Sequence, residues 1–572
     1  MNFDRQADTL LESLNLEEKI GQMTQVLHFE EQTEAEIAAG RVGSVIHTQG
    51  PLPGKGARGW QERFRRLQEL AMSSHPGIPL LFGVDAVHGQ NTYEGATIFP
   101  HNIGFGATRN AELVEKAAAI TAREAQATGF SWVFSPCIAI PYNEKWGRVY
   151  EAFSESTAIT ETLTEASVRG HQGKLSDGHA VMATAKHFIG DGATEYGVEG
   201  GVTTLSETEI EERLLPPYRA AVASGVGAVM ASFNIYEGIP MHAHKGLITG
   251  VLKEEMQFDG IMLSDWKGYS KFGEADIINA GIDMVMAVDG DLELFQKGLK
   301  KAVEDGDVSR ERIDDAVRRI LRQKFRLGLF ENPYPSETFI DSIGSQQHRD
   351  VARQAVRESL VLLKNEENLL PLTPGIGKIV VVGAHANNAG LQSGGWTIDW
   401  QGTDRNYTGA TTILEGIQKI SNTEVVYDPD GTRVYADADV AIICVGEPPY
   451  AEFFGDIGHE SNSLKLELSP EQRGYLEHYD KQGVPIVVVL LSGRPLVTTE
   501  EIKQATAFIA AWLPGSEGDG IAEVLFGKYN FKGRLPHSWP ASLDDFKGKY
   551  GPNHWEGSIK PLFPLGYGLS YP

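Results

Sequence analysis

The stretch Leu80–Asp85 (LLFGVD) is a short, continuously apolar run that ends in a carboxylate. Similar runs recur over the first 330 residues, separated by amphipathic stretches such as Asn110–Thr128 and Glu207–Ser224. Apolar strands that alternate with helices predict a parallel sheet covered on both faces, and this many units predict a barrel or a distorted barrel. The runs are Gly43–Thr48, Leu80–Val87, Trp132–Ile140, Ala180–Ile189, Ala228–Phe233, Gly260–Trp266 and Gly281–Ala287.

The same pattern divides the chain into two domains. A helix predicted at Arg310–Leu327 closes the barrel domain, residues 1–330. Residues 331–370, with two prolines and a helical segment around His348–Asn365, are predicted to be a linker. Residues 371–572 are predicted to form an open α/β sandwich, because parallel-type runs again alternate with helices. These runs are Lys378–Ala384, Glu424–Tyr427, Asp439–Gly446, Pro485–Ser492 and Ala507–Leu513.

Composition excludes several classes of function. The 572 residues include 51 Lys and Arg against 77 Asp and Glu, a formal net charge of −26. Such a surface repels phosphate backbones and anionic lipids, so we expect no nucleic-acid partner and no membrane partner. The isolated Cys137 and Cys444 provide neither a disulfide framework nor a zinc motif, and we expect no metal and no cofactor. The first residues lack the apolar core of a signal peptide, which predicts a cytoplasmic protein, or a periplasmic or secreted one if a leader was removed.

Charged side chains follow the predicted strands. Asp85 ends one run, Lys186 and His187 end another (VMATAKH), and Asp265 ends a third (GIMLSD), while Arg148 follows the run Trp132–Ile140. A lone polar residue in such a place usually caps a helix. In barrels, however, reactive groups lie at the carboxyl ends of the strands, and so many charged residues there predict a pocket that binds hydroxyl groups.

Loop residues add aromatic rings and a second carboxylate. Trp266 follows Asp265, and Trp396 and Trp400 lie in a stretch whose glycines and polar residues favour a loop. Tryptophan rings in such loops stack on sugars, and although a single tryptophan is more often buried in the core, the loop argues against that here. After the run Asp439–Gly446, the sequence GEPPYAEFFGD supplies Glu447, which could be structural, and Glu452, which lies farther out. Glycoside hydrolysis needs two carboxyl groups beside the scissile bond, and Asp265 with Glu452 meets that need.

Seven stretches, spread over both predicted domains, resemble glycoside hydrolase family 3, and in particular its two-domain β-glucosidases and exo-β-glucanases. They are GVDAVHG (83–89), ATIFPHNIG (96–104), WGRVYE (146–151), AKHFIGDG (185–192), MLSDW (262–266), GGWTIDWQG (394–402) and GEPPYAEFFGD (446–456). The resemblance covers nearly the whole chain. It implies an α/β protein with a (β/α)8-like TIM barrel followed by an (α/β)6-type sandwich domain.

The resemblance also implies residue roles. Asp265 would be the nucleophile and Glu452 the general acid/base of a retaining double displacement. Four residues would bind the hydroxyls of the sugar in the −1 subsite: Asp85, Arg148, Lys186 and His187. The nucleophile must be ionised, so we expect Lys186 or Arg148 to hold the pKa of Asp265 low, and we expect desolvation to raise the pKa of Glu452.

The aromatic residues would form the +1 subsite. Trp266 and Trp400 would face each other across it, with Trp396 nearby, and Phe233 stands where some plant members have tyrosine. The expected activity is that of an exo-acting β-glucosidase or exo-β-1,3(1,4)-glucanase, acting on β-linked gluco-oligosaccharides or aryl β-glucosides as a monomer or homodimer. A β-glycosidase with another −1 sugar, such as xylose, is the alternative within the family.

Other classes remain as alternatives. A non-catalytic sugar-binding protein would keep the pocket but should lack Asp265 or Glu452, and both are present. The stretch Lys378–Gly390 resembles the start of a nucleotide-binding fold but has neither GxGxxG nor a phosphate-binding lysine motif. The pair His242 and His244 is too isolated to indicate a metal centre, and local hydrogen bonding explains it better.

Overall fold

Parallel strands form a closed ring in the first half of the chain. The computed structural model describes residues 3–29, 32–48, 56–173, 181–373, 375–551 and 560–571. Within these ranges, eight strands make up the ring: β1 Thr24–Leu27, β2 Ser44–His47, β3 Leu81–Val84, β4 Trp132–Val133, β5 Thr184–Phe188, β6 Ala228–Ala231, β7 Ile261–Leu263 and β8 Val285–Met286. Their order is β8-β1-β2-β3-β4 in one sheet and β7-β6-β5 in the other. Parallel bridges at Trp132–Met182 and Leu263–Met284 join the two sheets, so the predicted barrel is confirmed.

Seven of these strands lie in the predicted runs, and β1 does not. Ala180, the predicted start of one run, lies outside the described residues. Strand β1 was missed because its first two residues, Thr24 and Gln25, are polar. Both are buried: the Thr24 hydroxyl donates to the Ile20 carbonyl at 2.8 Å, and the Gln25 amide donates to the Ser44 hydroxyl at 2.9 Å. Satisfied hydrogen bonds allow polar residues on a buried strand, and hydropathy alone does not detect them.

Helices cover the outside of the barrel. The helix Arg310–Arg326 begins after its N-cap Ser309 and buries Ile313, Val317 and Ile320, a spacing that places them on one face. The predicted helix Glu207–Ser224 is interrupted by a π-helical segment, Ile210–Leu214, just before Pro216 and Pro217. The remaining α-helices are Phe3–Ser13, Leu16–Gln22, Thr33–Ala38, Gly56–Ser73, Asn102–Thr108, Ala111–Ala127, Thr157–Gln172, Leu215–Ala223, Gly268–Phe272, Ala275–Ala280 and Leu292–Asp305; Gly246–Glu255 is a second π-helical segment.

The second half of the chain forms a separate six-stranded sheet, as predicted. Its strands are β9 Val361–Asn365, β10 Lys378–Val382, β11 Glu424–Asp428, β12 Val440–Gly446, β13 Ile486–Leu491 and β14 Ala507–Ala510. The order is β9-β14-β13-β12-β10-β11, with β9 antiparallel and the others parallel. Strands β12 and β13 are buried along their full length, which requires cover on both faces. The covering helices are Gln346–Ser359, Ala389–Ser393, Ile413–Ile420, Pro470–Lys481, Thr499–Gln504 and Asp519–Leu525.

The predicted helical segment around His348–Asn365 is shorter than expected. The helix Gln346–Ser359 ends before β9, and β9 pairs with β14 of the second sheet. The sequence Val361–Leu363 is apolar and fits a buried strand or a helix end equally well, so periodicity could not separate the two. The borders at 330 and 370 remain predictions, and we propose a border near residue 360 because β9 belongs to the second sheet.

Arg494 joins the two domains through hydrogen bonds to backbone and side chain. Its fully buried guanidinium donates from Nε to Glu447 Oε1 at 2.9 Å and from Nη2 to the Gly455 carbonyl at 2.7 Å. On the barrel side, Nη1 donates to the Glu144 carbonyl at 2.9 Å and to the Trp146 carbonyl at 3.2 Å. Glu447 therefore has a structural role. No helix in the described part of the chain is long and apolar enough to cross a membrane.

Replacing Arg494 with glutamine is expected to destabilise the protein by about 3–5 kcal/mol, because it leaves the Glu447 carboxylate buried without its cation. Urea unfolding followed by tryptophan fluorescence measures the change. The matched control is Arg473→Gln, which removes a partly exposed ion pair to Glu467 with an N–O distance of 3.6 Å. The Arg473→Gln substitution should lower the free energy of unfolding by less than about 1 kcal/mol. Equal losses in the two variants would contradict the interface role.

Candidate active site

Four of the predicted site residues meet at the carboxyl ends of the barrel strands. Lys186 and His187 lie on β5, Asp85 directly follows β3, and Asp265 follows β7. Lys186 Nζ lies 3.3 Å from Asp85 Oδ1, and His187 Nε2 lies 3.9 Å from Asp265 Oδ2. All four are buried or nearly so, so their polar groups line a site that is largely shielded from bulk water.

Three neighbours orient Asp265 and His187. The Asp265 amide donates to His242 Nε2 at 2.9 Å, and Asp265 Oδ1 accepts from the Trp266 amide at 2.6 Å. His187 Nδ1 lies 2.7 Å from Asp191 Oδ2, which fixes the ring and leaves Nε2 directed at Asp265. His242 thus accepts a hydrogen bond from a residue 23 positions away in the chain, a contact that the sequence did not predict.

Arg148 is the centre of a buried charge network. Its guanidinium donates to both carboxylate oxygens of Glu151, from Nε at 2.9 Å and from Nη2 at 3.0 Å. Nη1 lies 3.2 Å from Glu452 Oε1 and 3.5 Å from Glu199 Oε1. Glu452 comes from the second domain, so Arg148 connects a barrel loop directly to the carboxylate that was predicted to be the acid/base. The bidentate contact with Glu151 fixes the orientation of the Arg148 guanidinium as well as pairing its charge.

The loop of Glu452 is held tightly against the barrel. Glu452 has a left-handed backbone conformation, with φ of 53°, which a non-glycine residue adopts only when its surroundings enforce it. Gly147 lies so close that a Cβ there would be 2.0 Å from the Glu452 carbonyl oxygen. The Gly147 amide also donates to Asp456 Oδ1 at 2.8 Å. The glycine before Arg148 is therefore required for the two loops to touch.

Burial raises the pKa of Glu452 to about 8. The positive charge of Arg148 opposes this shift, whereas the charges of Asp265 and Glu199 add to it. Glu452 is thus protonated at neutral pH and able to donate a proton, as expected from the sequence.

The expectation that its neighbours hold the pKa of Asp265 low is wrong. Burial raises the pKa of Asp265, and Arg148, the Trp266 amide and Lys186 lower it only in part. The sequence showed the cations but not the depth of burial, and desolvation of a carboxylate is the larger effect here. Apart from burial, the main groups that act on Asp265 favour its ionised form: Arg148, the Trp266 amide, Lys186 and Lys271 all lower its pKa.

The predicted aromatic residues have different environments. Trp396 is buried, contrary to the expectation that its loop would keep it out of the core, and its indole N–H donates to Glu151 Oε1 at 3.0 Å. Trp400 is half-buried, with its ring 5.6 Å from that of Phe454. Trp266 is also half-buried, and its indole N–H donates to Asp289 at 2.7 Å. The arrangement of Trp266 and Trp400 across a +1 subsite stays a prediction.

Phe233 packs beside His242 and Lys271. Its ring stacks at 5.9 Å on His242, the residue that accepts the Asp265 amide hydrogen. Lys271 Nζ lies 4.5 Å from the centre of the Phe233 ring. In this position Phe233 supports His242, and its predicted contact with substrate stays a prediction.

Barrel residues anchor the glycine-rich loop of the second domain. Asn91 donates to the Trp396 carbonyl at 2.7 Å, and its own carbonyl accepts from the Ile398 amide at 2.8 Å. A Cβ on Gly395 would lie 1.9 Å from the Tyr450 carbonyl oxygen, so only glycine fits between the two loops. The loop that carries Trp396 and Trp400 is thereby fixed to both domains.

Sequence reasoning missed four residues that orient the site. Glu151 and Asp191 lie three and four positions after Arg148 and His187, a spacing at which neighbouring side chains often pair, and this signal was available. Glu199 and His242 had no such signal, because each reaches its partner through the folding of a long loop.

Comparison with known proteins gives the family of the chain. Residues 15–323 match the glycosyl hydrolase family 3 N-terminal domain, and residues 360–571 match the family 3 C-terminal domain. The chain belongs to glycoside hydrolase family 3. It is therefore a glycoside hydrolase, and its two matched regions correspond to the barrel and to the second sheet.

Several known proteins are similar to the chain along most of its length. The lysosomal beta glucosidase of Dictyostelium discoideum is 33% identical over 99% of this chain and 76% of its own length. A beta-xylosidase of Formosa agariphila is 30% identical over 88% of this chain and 76% of its own. The crystal structure of exo-1,3/1,4-beta-glucanase from a Pseudoalteromonas species is 36% identical, with a TM-score of 0.93 over 100% of this chain and 74% of that one.

The pH dependence of activity should report the ionisation of Glu452. If this residue is the acid, kcat/KM falls as pH rises through about 8, where Glu452 loses its proton. Glu199→Gln removes a negative charge that raises the pKa of Glu452, so the alkaline limb should move to lower pH. The matched control is Glu195→Gln, which lies in the same loop and pairs with Lys549 in an exposed contact. A limb that moves equally in both variants, or in neither, would contradict the assignment.

Proposed function

We propose that the protein is an exo-acting, retaining β-glucosidase or exo-β-1,3(1,4)-glucanase that releases terminal glucose from β-glucosides and short β-glucans. The observation that carries this proposal is that Arg148, whose charge acts on Asp265 of the barrel, also lies 3.2 Å from Glu452 of the second domain. The names of the Dictyostelium and Pseudoalteromonas relatives support glucose as the sugar and β-1,3 and β-1,4 linkages.

The first step uses both carboxyl groups. Asp265 attacks the anomeric carbon and forms a glycosyl ester, while the bond from that carbon to the glycosidic oxygen breaks and Glu452 gives its proton to the departing oxygen. In the second step Glu452 takes a proton from water, the water oxygen bonds to the anomeric carbon, and the ester bond to Asp265 breaks. Two inversions leave the β configuration unchanged.

The charged groups around Asp265 suit the sugar of the −1 subsite. Lys186 and Asp85 form a buried donor and acceptor pair, 3.3 Å apart, that matches adjacent hydroxyl groups. His187, held by Asp191, supplies Nε2 close to Asp265. Half-buried Trp266 and Trp400 would bind the next sugar in the +1 subsite by stacking.

One alternative within the family has support. The relative named beta-xylosidase favours xylose as the −1 sugar, and the same two carboxyl groups would serve that reaction. A non-catalytic sugar-binding protein would not need a carboxyl group whose pKa is raised to about 8 beside a second carboxylate. Two further properties stay predictions. They are the cellular location (cytoplasmic, or periplasmic or secreted) and the oligomeric state (monomer or homodimer).

Covalent labelling tests the nucleophile, the mechanism and the sugar together. A 2-deoxy-2-fluoro-β-glucosyl donor should add one sugar per chain, and a peptide map should place it on Asp265. Asp265→Asn should lower kcat by about 1,000-fold or more and abolish labelling, because it removes the attacking group. The control is Asp289→Asn, which changes a neighbouring carboxylate and should leave the label on Asp265. A label on another carboxylate overturns the residue assignment. Labelling by the matching xylosyl donor, without labelling by the glucosyl donor, favours xylose as the −1 sugar.

The contribution of Trp400 to a +1 subsite can be separated from chemistry. Trp400→Ala should lower kcat/KM for a β-1,3-linked disaccharide roughly 5- to 150-fold, which corresponds to about 1–3 kcal/mol of lost binding, because a stacking surface is lost. With β-glucosyl fluoride, which has no +1 sugar, the loss should be small. Trp400→Phe should restore much of the activity on the disaccharide. Equal losses on both substrates would contradict the subsite.

A further inference from the structure

Three ligand-type side chains lie together outside the proposed catalytic site. Glu144 and Glu155 belong to the barrel, in the segment between β4 and the helix Thr157–Gln172, and His537 belongs to the second domain. One carboxylate oxygen of each glutamate and one ring nitrogen of His537 lie within 4.8 Å of one another. Glu144 and His537 are fully buried, and Glu155 is 7% exposed.

Two of these side chains have no hydrogen-bond partner in the described part of the chain. Among the described residues, no other residue forms a hydrogen bond with either carboxylate oxygen of Glu144 or with either ring nitrogen of His537. Glu155 differs, because it accepts from the amide and the hydroxyl of Ser538, each at 2.8 Å. Buried polar groups are normally satisfied, so two such side chains directed at one point indicate a bound ligand that satisfies them.

The charges of the cluster suit a divalent cation. A neutral imidazole and a carboxylate are both ligands for divalent cations. Burial raises the pKa of Glu144 to about 8 and that of Glu155 to about 7. Arg494 and Arg213 partly offset this for Glu144 and Glu155 respectively, and Asp545 adds negative charge. Two ionised carboxylates and a divalent cation would together be neutral.

We propose that Glu144, Glu155 and His537 bind one divalent transition-metal ion that joins the two domains. A mixed set of two carboxylates and one imidazole suits Zn²⁺ or Mn²⁺, whereas Ca²⁺ prefers oxygen ligands alone. Ligand atoms about 2.1 Å from a tetrahedral ion lie about 3.4 Å apart, so the side chains need to close in by a small rotation. The metal site is independent of the proposed glycosidase activity.

The ion would stabilise the loop that carries Arg148. Glu144 and Glu155 lie on either side of Arg148 and Glu151 in the chain, and the Glu144 carbonyl already accepts from Arg494. A bond to His537 would tie both ends of this loop to the second domain, which also contributes Glu452. The three ligands are positioning residues, since they contact neither Asp265 nor Glu452. Because they are far apart along the chain, no metal was predicted from the sequence.

Metal analysis of the full-length protein, purified without a histidine tag, tests the site. After dialysis with Zn²⁺ or Mn²⁺ and removal of the free ion, about one equivalent per chain should remain, and the midpoint of thermal unfolding should exceed that of chelator-treated protein by at least about 3 °C. Glu144→Gln and His537→Gln should each lose the bound ion and the shift. The control is His75→Gln, which changes a histidine whose side chain is 79% exposed.

A second measurement does not depend on whether the variants fold. Crystals of the wild-type protein soaked in Zn²⁺ should show an anomalous peak between Glu144, Glu155 and His537. A peak elsewhere, no peak, or equal metal content in wild type and both variants would overturn the proposal. Binding of neither Zn²⁺ nor Mn²⁺ would also overturn it, and would mean that the cluster is neutralised by protons alone.

Discussion

The guanidinium of Arg148 is a single buried cation that faces three carboxyl groups, those of Glu151, Glu199 and Glu452. Burying an arginine is costly unless its charge and donors are fully matched, and burying several carboxylates around one cation is costly unless some of them carry a proton. Glu151 takes the bidentate pair, and burial raises the pKa of both Glu199 and Glu452. Burial, which the single guanidinium offsets only in part, is therefore what leaves Glu452 protonated at neutral pH.

The two proposed catalytic carboxyl groups differ because their hydrogen-bond donors differ. Asp265 receives the Trp266 amide and the field of Lys186 and Arg148, all of which favour its ionised form. For Glu452 the main favourable neighbour is Arg148, whereas several acidic groups, Asp265 and Glu199 among them, oppose its ionisation. Since each carboxyl group feels the charge of the other, the first to ionise raises the pKa of the second. Burial thus acts on both, while the local donors determine which one keeps the proton.

Much of the fold could be predicted from sequence, because buried parallel strands are continuous apolar runs. Two strands were not predicted. Strand β1 has polar residues that are hydrogen-bonded inside the barrel, and β9 follows a helix with no turn signal between them. For the site, strand ends identified Asp85, Lys186 and Asp265, since topology alone brings them together. The positions of Glu199 and His242, and the raised pKa of Asp265, depend on loop packing and on depth of burial, which no local pattern encodes.

Because the proposed site is divided between two domains, the interface must hold the reacting groups of both domains in position. An error of about 1 Å in the position of a reacting group costs about 100-fold in rate, and apolar burial is non-directional, so it cannot supply such precision alone. Directional contacts supply it here: Arg494 binds carbonyls on both sides, and Asn91 binds two backbone groups of the Trp396 loop. The contacts of Arg494 with Glu144 and of Asn91 with Trp396 join residues 350 and 305 positions apart. The geometry of Asp265 and Glu452 is therefore a property of the docked pair of domains, and neither domain alone contains it.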